Sequence, residues 1–107
     1  MPLRQRRPRQ HEPDYLKWLR AQRCACGCLE GPPCDAAHVR ASSLEYGKPL
    51  AGMGAKPDDR WAVPLKHQHH MSQHSQGELH WWALRGIEDP FALCLEHYRR
   101  YLKETKR

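Results

Sequence analysis

The chain has 107 residues, of which 39% are hydrophobic, with a formal net charge of +6 and a mean hydropathy of −0.92. That length holds one core with little room for a second, and the low apolar content points to a small core completed by bound metal or shielded by a partner. No apolar run approaches the roughly 20 residues of a membrane helix, which excludes helical membrane spans, so no membrane partner is expected.

Residues 1–12 read as a basic flexible arm and 13–107 as a single domain. The arm carries Arg4, Arg6, Arg7 and Arg9 ahead of any acid and offers no apolar stretch of the secretory kind, so a cytoplasmic location is expected. Pro13 to Gln22, with Asp14 as a capping-type residue and Tyr15, Leu16, Trp18 and Leu19 apolar, predicts a short helix. Cys24-Ala25-Cys26-Gly27-Cys28 and Gly31-Pro32-Pro33-Cys34 make a turn-rich stretch. Ala36 to Arg40 predicts a short strand. Residues 41–60, with Gly47, Pro49, Gly52, Gly54 and Pro57, predict a long loop, which in a small domain often carries function. Trp61-Ala62-Val63 predicts a second strand, and Pro64 suits the entry to a histidine-rich helix. Gly77-Glu78 opens a helix with Leu79, Trp81, Trp82 and Leu84. Asp89-Pro90 opens the last, with Phe91, Cys94, Leu95, Tyr98, Tyr101 and Leu102 at helical spacing. The expected class is α+β. The first nine and last nine residues each net +4, and the stretch between them nets −2. Charge placed at the ends suits sequence-blind phosphate contacts, which is the favoured reading; the plainer one is a solvated tail and a helix C-terminus whose cations complement its dipole.

Four histidines fall within the eleven residues 64–74. His70 and His74, four apart on one helical face, can bind one metal ion; His67 shares that face, as a third ligand or as an exposed first-turn residue. His38 stands apart in Asp35-Ala36-Ala37-His38-Val39-Arg40. Unperturbed histidine titrates near pH 6.5, which suits proton transfer beside such a metal. Cys24, Cys26, Cys28 and Cys34 are close enough for one structural zinc, with His69 or His67 completing it. Their spacings differ from the paired Cys-x2-Cys code, and reduced thiols fit as well; disulfides fit a cytoplasmic setting less. Cys94 is expected in the core, and His80 and His97 at the surface or in packing. Trp81 and Trp82, being adjacent, are expected not to share one core. One would cover the histidine helix while the other meets a neighbour or DNA, and core packing is the favoured reading of the pair.

The motif order is histidine strand, loop, strand ending in Pro-Leu, and helix with a histidine pair. It resembles the HNH, or ββα-metal, endonuclease motif. The sequence is more closely similar to small phage and prophage HNH proteins, through Cys24 to Gly27, Ala37 to Arg40, Gly52 to Asp59, Val63 to Leu65, His69-His70 and His74, over roughly residues 14–98. The resemblance implies a ββα-metal core with an N-terminal helix and two C-terminal packing helices. It implies His38 as the general base, and His70 and His74 on one divalent ion, Mg, Mn, Ni or Zn. Hydrolysis of DNA to 5′-phosphate and 3′-hydroxyl ends would follow. Arg40, on the face of His38 by strand alternation, would hold a phosphate oxygen. DNA is the implied partner, with a homodimer and phage or host recombination proteins as further ones, in a bacterial cell carrying phage or prophage.

The sequence departs from that pattern at three places. Ala37 stands where many HNH proteins have an Asp or His ligand. Trp61 falls at the middle asparagine, for which Asp59, then Asp58, is the substitute; either carboxylate could ligate metal or hold the tautomer of His38. Lys66 and His69 occupy the Cys-x2-Cys positions of the structural-zinc version, which leaves Cys24, Cys26 and His69 as candidate zinc ligands. These departures permit an alternative, a non-catalytic metal-bound DNA-binding accessory module of phage recombination or packaging. A third reading is an interaction protein whose basic ends bind a protein partner, and the plain reading of His70 and His74 is a polar helix face.

Overall fold

The structure, a computed structural model, describes residues 11–28, 30–41, 43, 45–46 and 58–105. Residues 1–10 of the basic arm and Gly52 to Pro57 of the loop motif lie outside the described residues. Helix α1 (Pro13–Arg20) opens with a proline, whose missing N–H is not needed there. The cap position is Glu12, without a side-chain cap bond, and Asp14 sits in the first turn, where its charge complements the helix dipole. Glu12 is built into the domain: its N–H donates to Asp59 (2.6 Å) and its carboxylate accepts from the Tyr98 hydroxyl (2.6 Å).

Strands β1 (Asp35–His38) and β2 (Ala62–Leu65) form an antiparallel pair, with Asp35 opposite Leu65 and His38 opposite Ala62. β1 ends earlier than expected. Val39 N–H still reaches Trp61 O at 2.7 Å, but Arg40 N–H is captured by the Glu78 carboxylate at 2.8 and 3.0 Å. β2 runs further than expected and takes in Pro64, which pairs with Ala36 and does not open a helix. The Pro64 carbonyl accepts from Ala25 N–H at 2.7 Å, away from β1. Its ring nitrogen lies on that same edge, so the ladder loses no bond. A single 3-10 turn (Asp59–Trp61) leads into β2.

Helix α2 (His67–Ser75) follows β2 after one residue, then α3 (Glu78–Leu84) and α4 (Pro90–Thr105). Gly77, at φ +51°, makes the tight α2–α3 turn in a region that side-chain-bearing residues rarely adopt. Asp89 Oδ1 accepts from Ala92 N–H (3.1 Å) and starts α4. Among the described residues, four α-helices and a two-stranded antiparallel sheet make an α+β fold, as expected. Among the described residues, no helix is long and apolar enough to cross a membrane.

Strand alternation divides the core. Ala37, Val39, Val63 and Leu65 pack with Trp61, Trp81, Trp82, Phe91 and Cys94. Ala36 and Ala62 pack with Tyr15 and Leu19 of α1 and with Tyr98 and Tyr101 of α4. Tyr15 meets Tyr98 edge-on at 5.0 Å. Trp81 and Trp82 pack in the core, as favoured, and correct only the expectation that adjacent residues cannot share one: both are fully buried in one cluster, edge to face at 4.9 Å. The core wraps α3 widely enough to take adjacent positions. Trp81 still covers α2, its Nε1–H donating to Ser72 Oγ at 3.0 Å.

Candidate metal centres and a buried histidine–carboxylate pair

His38 ends β1, and Asp59 opens the 3-10 turn that feeds the partner strand, so strand pairing brings together two residues that are 21 apart in sequence. Asp59 Oδ1 lies 2.9 Å from His38 Nε2, and Oδ2 accepts the Glu12 N–H. The carboxylate is 1% exposed and the imidazole 12%. An ionised carboxylate only accepts, so the proton of neutral His38 is fixed on Nε2 and the ring's lone pair is on Nδ1. Asp59, the first of the two carboxylates expected to hold the tautomer of His38, is the one that contacts it. Asp58 is at the cap of the turn, its carbonyl accepting from Trp61 N–H at 3.0 Å. Trp61 is a core residue.

The exposed face of α2 carries His67, His70 and His74. His70 and His74 face each other through their Nε2 atoms at 3.2 Å. Two nitrogens bound to one ion at about 2.1 Å stand roughly 3.0–3.4 Å apart at octahedral or tetrahedral angles, so the pair already has a metal-binding span. Behind them, Asp35 Oδ2 is 3.0 Å from His70 Nδ1 and 2.8 Å from His67 Nδ1. Partial burial works against the Asp35 charge, but the bonds from His70 and His67 prevail and hold its carboxyl below the usual carboxylate range. Burial and the charges of His70 and Arg40 push the His74 imidazolium down, against Glu78. Arg40 is exposed, and the burial alternation from Ala37 onward continues past the last strand pair.

A second cluster lies beneath. Cys24, Cys26, Cys28 and His69 bring one ligand atom each to within 4.8 Å of one another. Cys24 Sγ is 3.4 Å from Cys26 Sγ, and His69 Nδ1 is 3.6 and 3.3 Å from those sulfurs. Ligand atoms on a tetrahedral zinc, with Zn–S about 2.3 Å and Zn–N about 2.0–2.1 Å, stand roughly 3.3–3.8 Å apart, so the donor set and its span fit a metal ion. Gly27, at φ +93°, turns the chain between Cys26 and Cys28. Burial opposes the Cys24 thiolate, yet the Cys26 and Lys66 N–H groups and the His69 ring bring its thiol down to about 7. Burial and the neighbouring sulfurs push Cys26 up to about 12, a crowding of thiolates that one cation relieves. Cys34 is buried outside this group, its thiol raised to about 11 by burial and then by Cys24.

The expected residues thus fall into three places. His38 and Asp59 pair; His70 and His74 pair; Cys24, Cys26 and His69 converge with Cys28. Two expectations are corrected. His67 does not complete the cysteine cluster, because Asp35 holds its ring at the sheet edge. Asp58, His70 and His74 form no cluster of three ligands among the described residues, because Asp58 is at the turn's cap. Sequence reasoning missed Asp35 and Glu78. Asp35 had a signal, as an acid two residues from Ala37 and so on the same strand face. Glu78 had none, since its capture of the Arg40 and Ala41 N–H groups depends on where α3 packs. No curated protein and no solved structure matches the chain. The family model described as protein of unknown function (DUF968) matches residues 2–88, from the arm through every one of these side chains, and the chain belongs to that family.

Proposed function

We propose that this protein is a metal-dependent, HNH-type endonuclease that hydrolyses DNA phosphodiester bonds. The observation that carries the reading is the buried Asp59 carboxylate bound to His38 Nε2 at 2.9 Å, the arrangement that turns an imidazole into a directed base. In the proposed reaction His38 Nδ1 takes a proton from water as the water oxygen bonds to phosphorus. The P–O3′ bond breaks opposite, leaving a 5′-phosphate and a 3′-oxygen that is protonated from solvent. Asp59 keeps the ring aligned and balances the imidazolium that forms. Arg40 holds a non-bridging phosphate oxygen. His70 and His74 would hold a divalent ion, which when bound supplies Lewis-acid stabilisation of the phosphate and the leaving oxygen. Cys24, Cys26, Cys28 and His69 would hold a structural zinc that ties the cysteine turn to the first turn of α2.

Plasmid incubated with Mg, Mn, Ni or Zn tests this reading, comparing the parent with His38→Ala. The expected result is nicking by the parent in at least one metal and loss in the variant. A parent that never nicks, or a variant that nicks as well, overturns it. The alternative, a non-catalytic DNA-binding accessory module, is favoured by one observation: Ala37 is fully buried and brings no ligand to the centre. Binding of DNA without nicking in any metal is its signature.

A further inference from the structure

The metal pair on α2 lacks the ligand that position 37 would supply, and the side chain at the other end of β1 answers that lack. Ala37 is fully buried. Asp35 shares its strand face by two-residue alternation, at the end of β1 opposite Leu65, the residue from which the chain passes through Lys66 into α2. One oxygen of Asp35 lies 3.0 Å from His70 Nδ1 and 2.8 Å from His67 Nδ1.

We infer that Asp35 is a positioning residue that replaces the absent ligand indirectly: it locks His70 with its proton on Nδ1, so that two imidazoles alone, His70 and His74, hold the ion directly. This rests on reading His70 and His74 as a metal site. A carboxylate behind a histidine ligand fixes its tautomer and orientation and makes it a better donor. With both Nδ1 protons given to Asp35, the lone pairs of His67 and His70 are on Nε2, and that of His70 is turned toward His74 at 3.2 Å. Without an ion, His74 Nε2–H donates to His70 Nε2. To ligate through Nε2, His74 must carry its proton on Nδ1. Loading therefore moves the tautomer of His74 and leaves that of His70 unchanged. His67, whose side chain is 76% exposed, shares the carboxylate and lies outside the ligand pair.

Imidazole nitrogen NMR on the full chain, carrying one equivalent of zinc for the cysteine cluster, reads these tautomers directly. Titration with further Zn reads the second site. The expected parent spectrum shows His67 and His70 as Nδ1–H, and only His74 changes form as the second ion binds. Asp35→Ala should release both rings to the Nε2–H form that histidine ordinarily favours, and weaken the second zinc by roughly 10- to 100-fold. Asp35→Asn, which still accepts an N–H, should keep the tautomer and most of the affinity. His67→Ala should bind the second ion within about twofold of the parent. Unchanged amide dispersion identifies the folded variants, and the Asn variant and the parent's own spectrum decide the matter if the Ala variant fails to fold. If the parent binds the second ion and Asp35→Ala changes neither tautomer nor affinity, the inference falls alone. If the parent shows locked tautomers but binds only the first zinc, the metal reading of His70 and His74 falls and takes the inference with it.

Discussion

At the scale of single residues, burial decides what each histidine can do. His38 has a buried carboxylate on one nitrogen, so a proton taken up on the other is balanced at once. His38→Ala is therefore expected to slow plasmid nicking by about 10²–10⁴-fold while the metal content stays that of the parent. Asp59→Asn keeps a hydrogen-bond acceptor but removes the charge, and should slow nicking with DNA affinity unchanged. Equal nicking by the Asn variant would mean that the carboxylate only packs. His97 shows the opposite use of burial. It is 7% exposed and its Nδ1–H donates to Leu93 O at 2.9 Å, and burial, helped by the Arg100 charge, lowers its affinity for a proton. The unfolded chain binds that proton near pH 6.5 and the folded chain only below it, so between those values unfolding takes up a proton. The His97 contribution to stability is thus complete above about pH 6.5 and is lost as pH falls toward the folded value. Urea melts at a series of pH values should show this decline, and His97→Gln should flatten it; a parallel decline in both proteins would place the acid sensitivity elsewhere.

At the scale of elements, the cysteine turn and α2 form one unit. Cys24 Sγ accepts Lys66 N–H at 3.4 Å, and Lys66 Nζ donates to Gly31 O and Pro33 O at 3.2 and 2.8 Å, so the residue that caps α2 is already bound to the turn. A zinc shared with His69 would close the same joint covalently. Chelation is expected to lower the melting temperature by about 10 °C or more, since roughly 2 kcal/mol corresponds to 8–16 °C in a domain of this size. Cys26→Ala should melt low with or without zinc, and Cys34→Ala should keep its zinc. Zinc lost on replacing Cys34, and kept on replacing Cys28, would reverse the assignment. The contrast between these two cysteines shows where the sequence was legible. Spacing along one helix is a local property, so α1, α4 and the His70–His74 pair could be read from the chain. The joining of Cys28 with His69, and of His38 with Asp59, depends on a left-handed Gly27 and on strand register. Neither leaves a periodic trace, so the sequence offered these partners only among alternatives, His67 beside His69 and Asp58 beside Asp59, and the fold chooses between them. Pro64 misled for the same reason: its place in β2 depends on Ala25 taking the edge that proline cannot serve.

At the scale of the whole molecule, the +6 charge is the property through which the proposed binding of DNA can be tested apart from its cleavage. Part of the basic charge at the end of α4 is engaged within the fold: Arg100 donates to Gln22 Oε1 at 3.2 Å and lies 5.3 Å over the Trp18 ring. Arg99 and Lys103 are exposed. The first ten residues add four arginines without an acid. Each phosphate neutralised steepens the fall of log affinity with log salt by about 0.9 on duplex DNA. A chain lacking residues 1–10 should therefore bind duplex DNA with a salt slope shallower by up to about 3.6. The change should be the same for DNA of unrelated sequence, because backbone contacts carry no base information. His38→Ala should bind with the parental slope while failing to nick. Those two variants separate charge from chemistry: the truncated chain retains His38, Asp59, His70 and His74 and should nick normally once protein is in excess over its weakened affinity. A truncation that leaves the slope unchanged would assign phosphate binding to the folded domain, with Arg40, Arg99 and Lys103 the next side chains to reverse in charge.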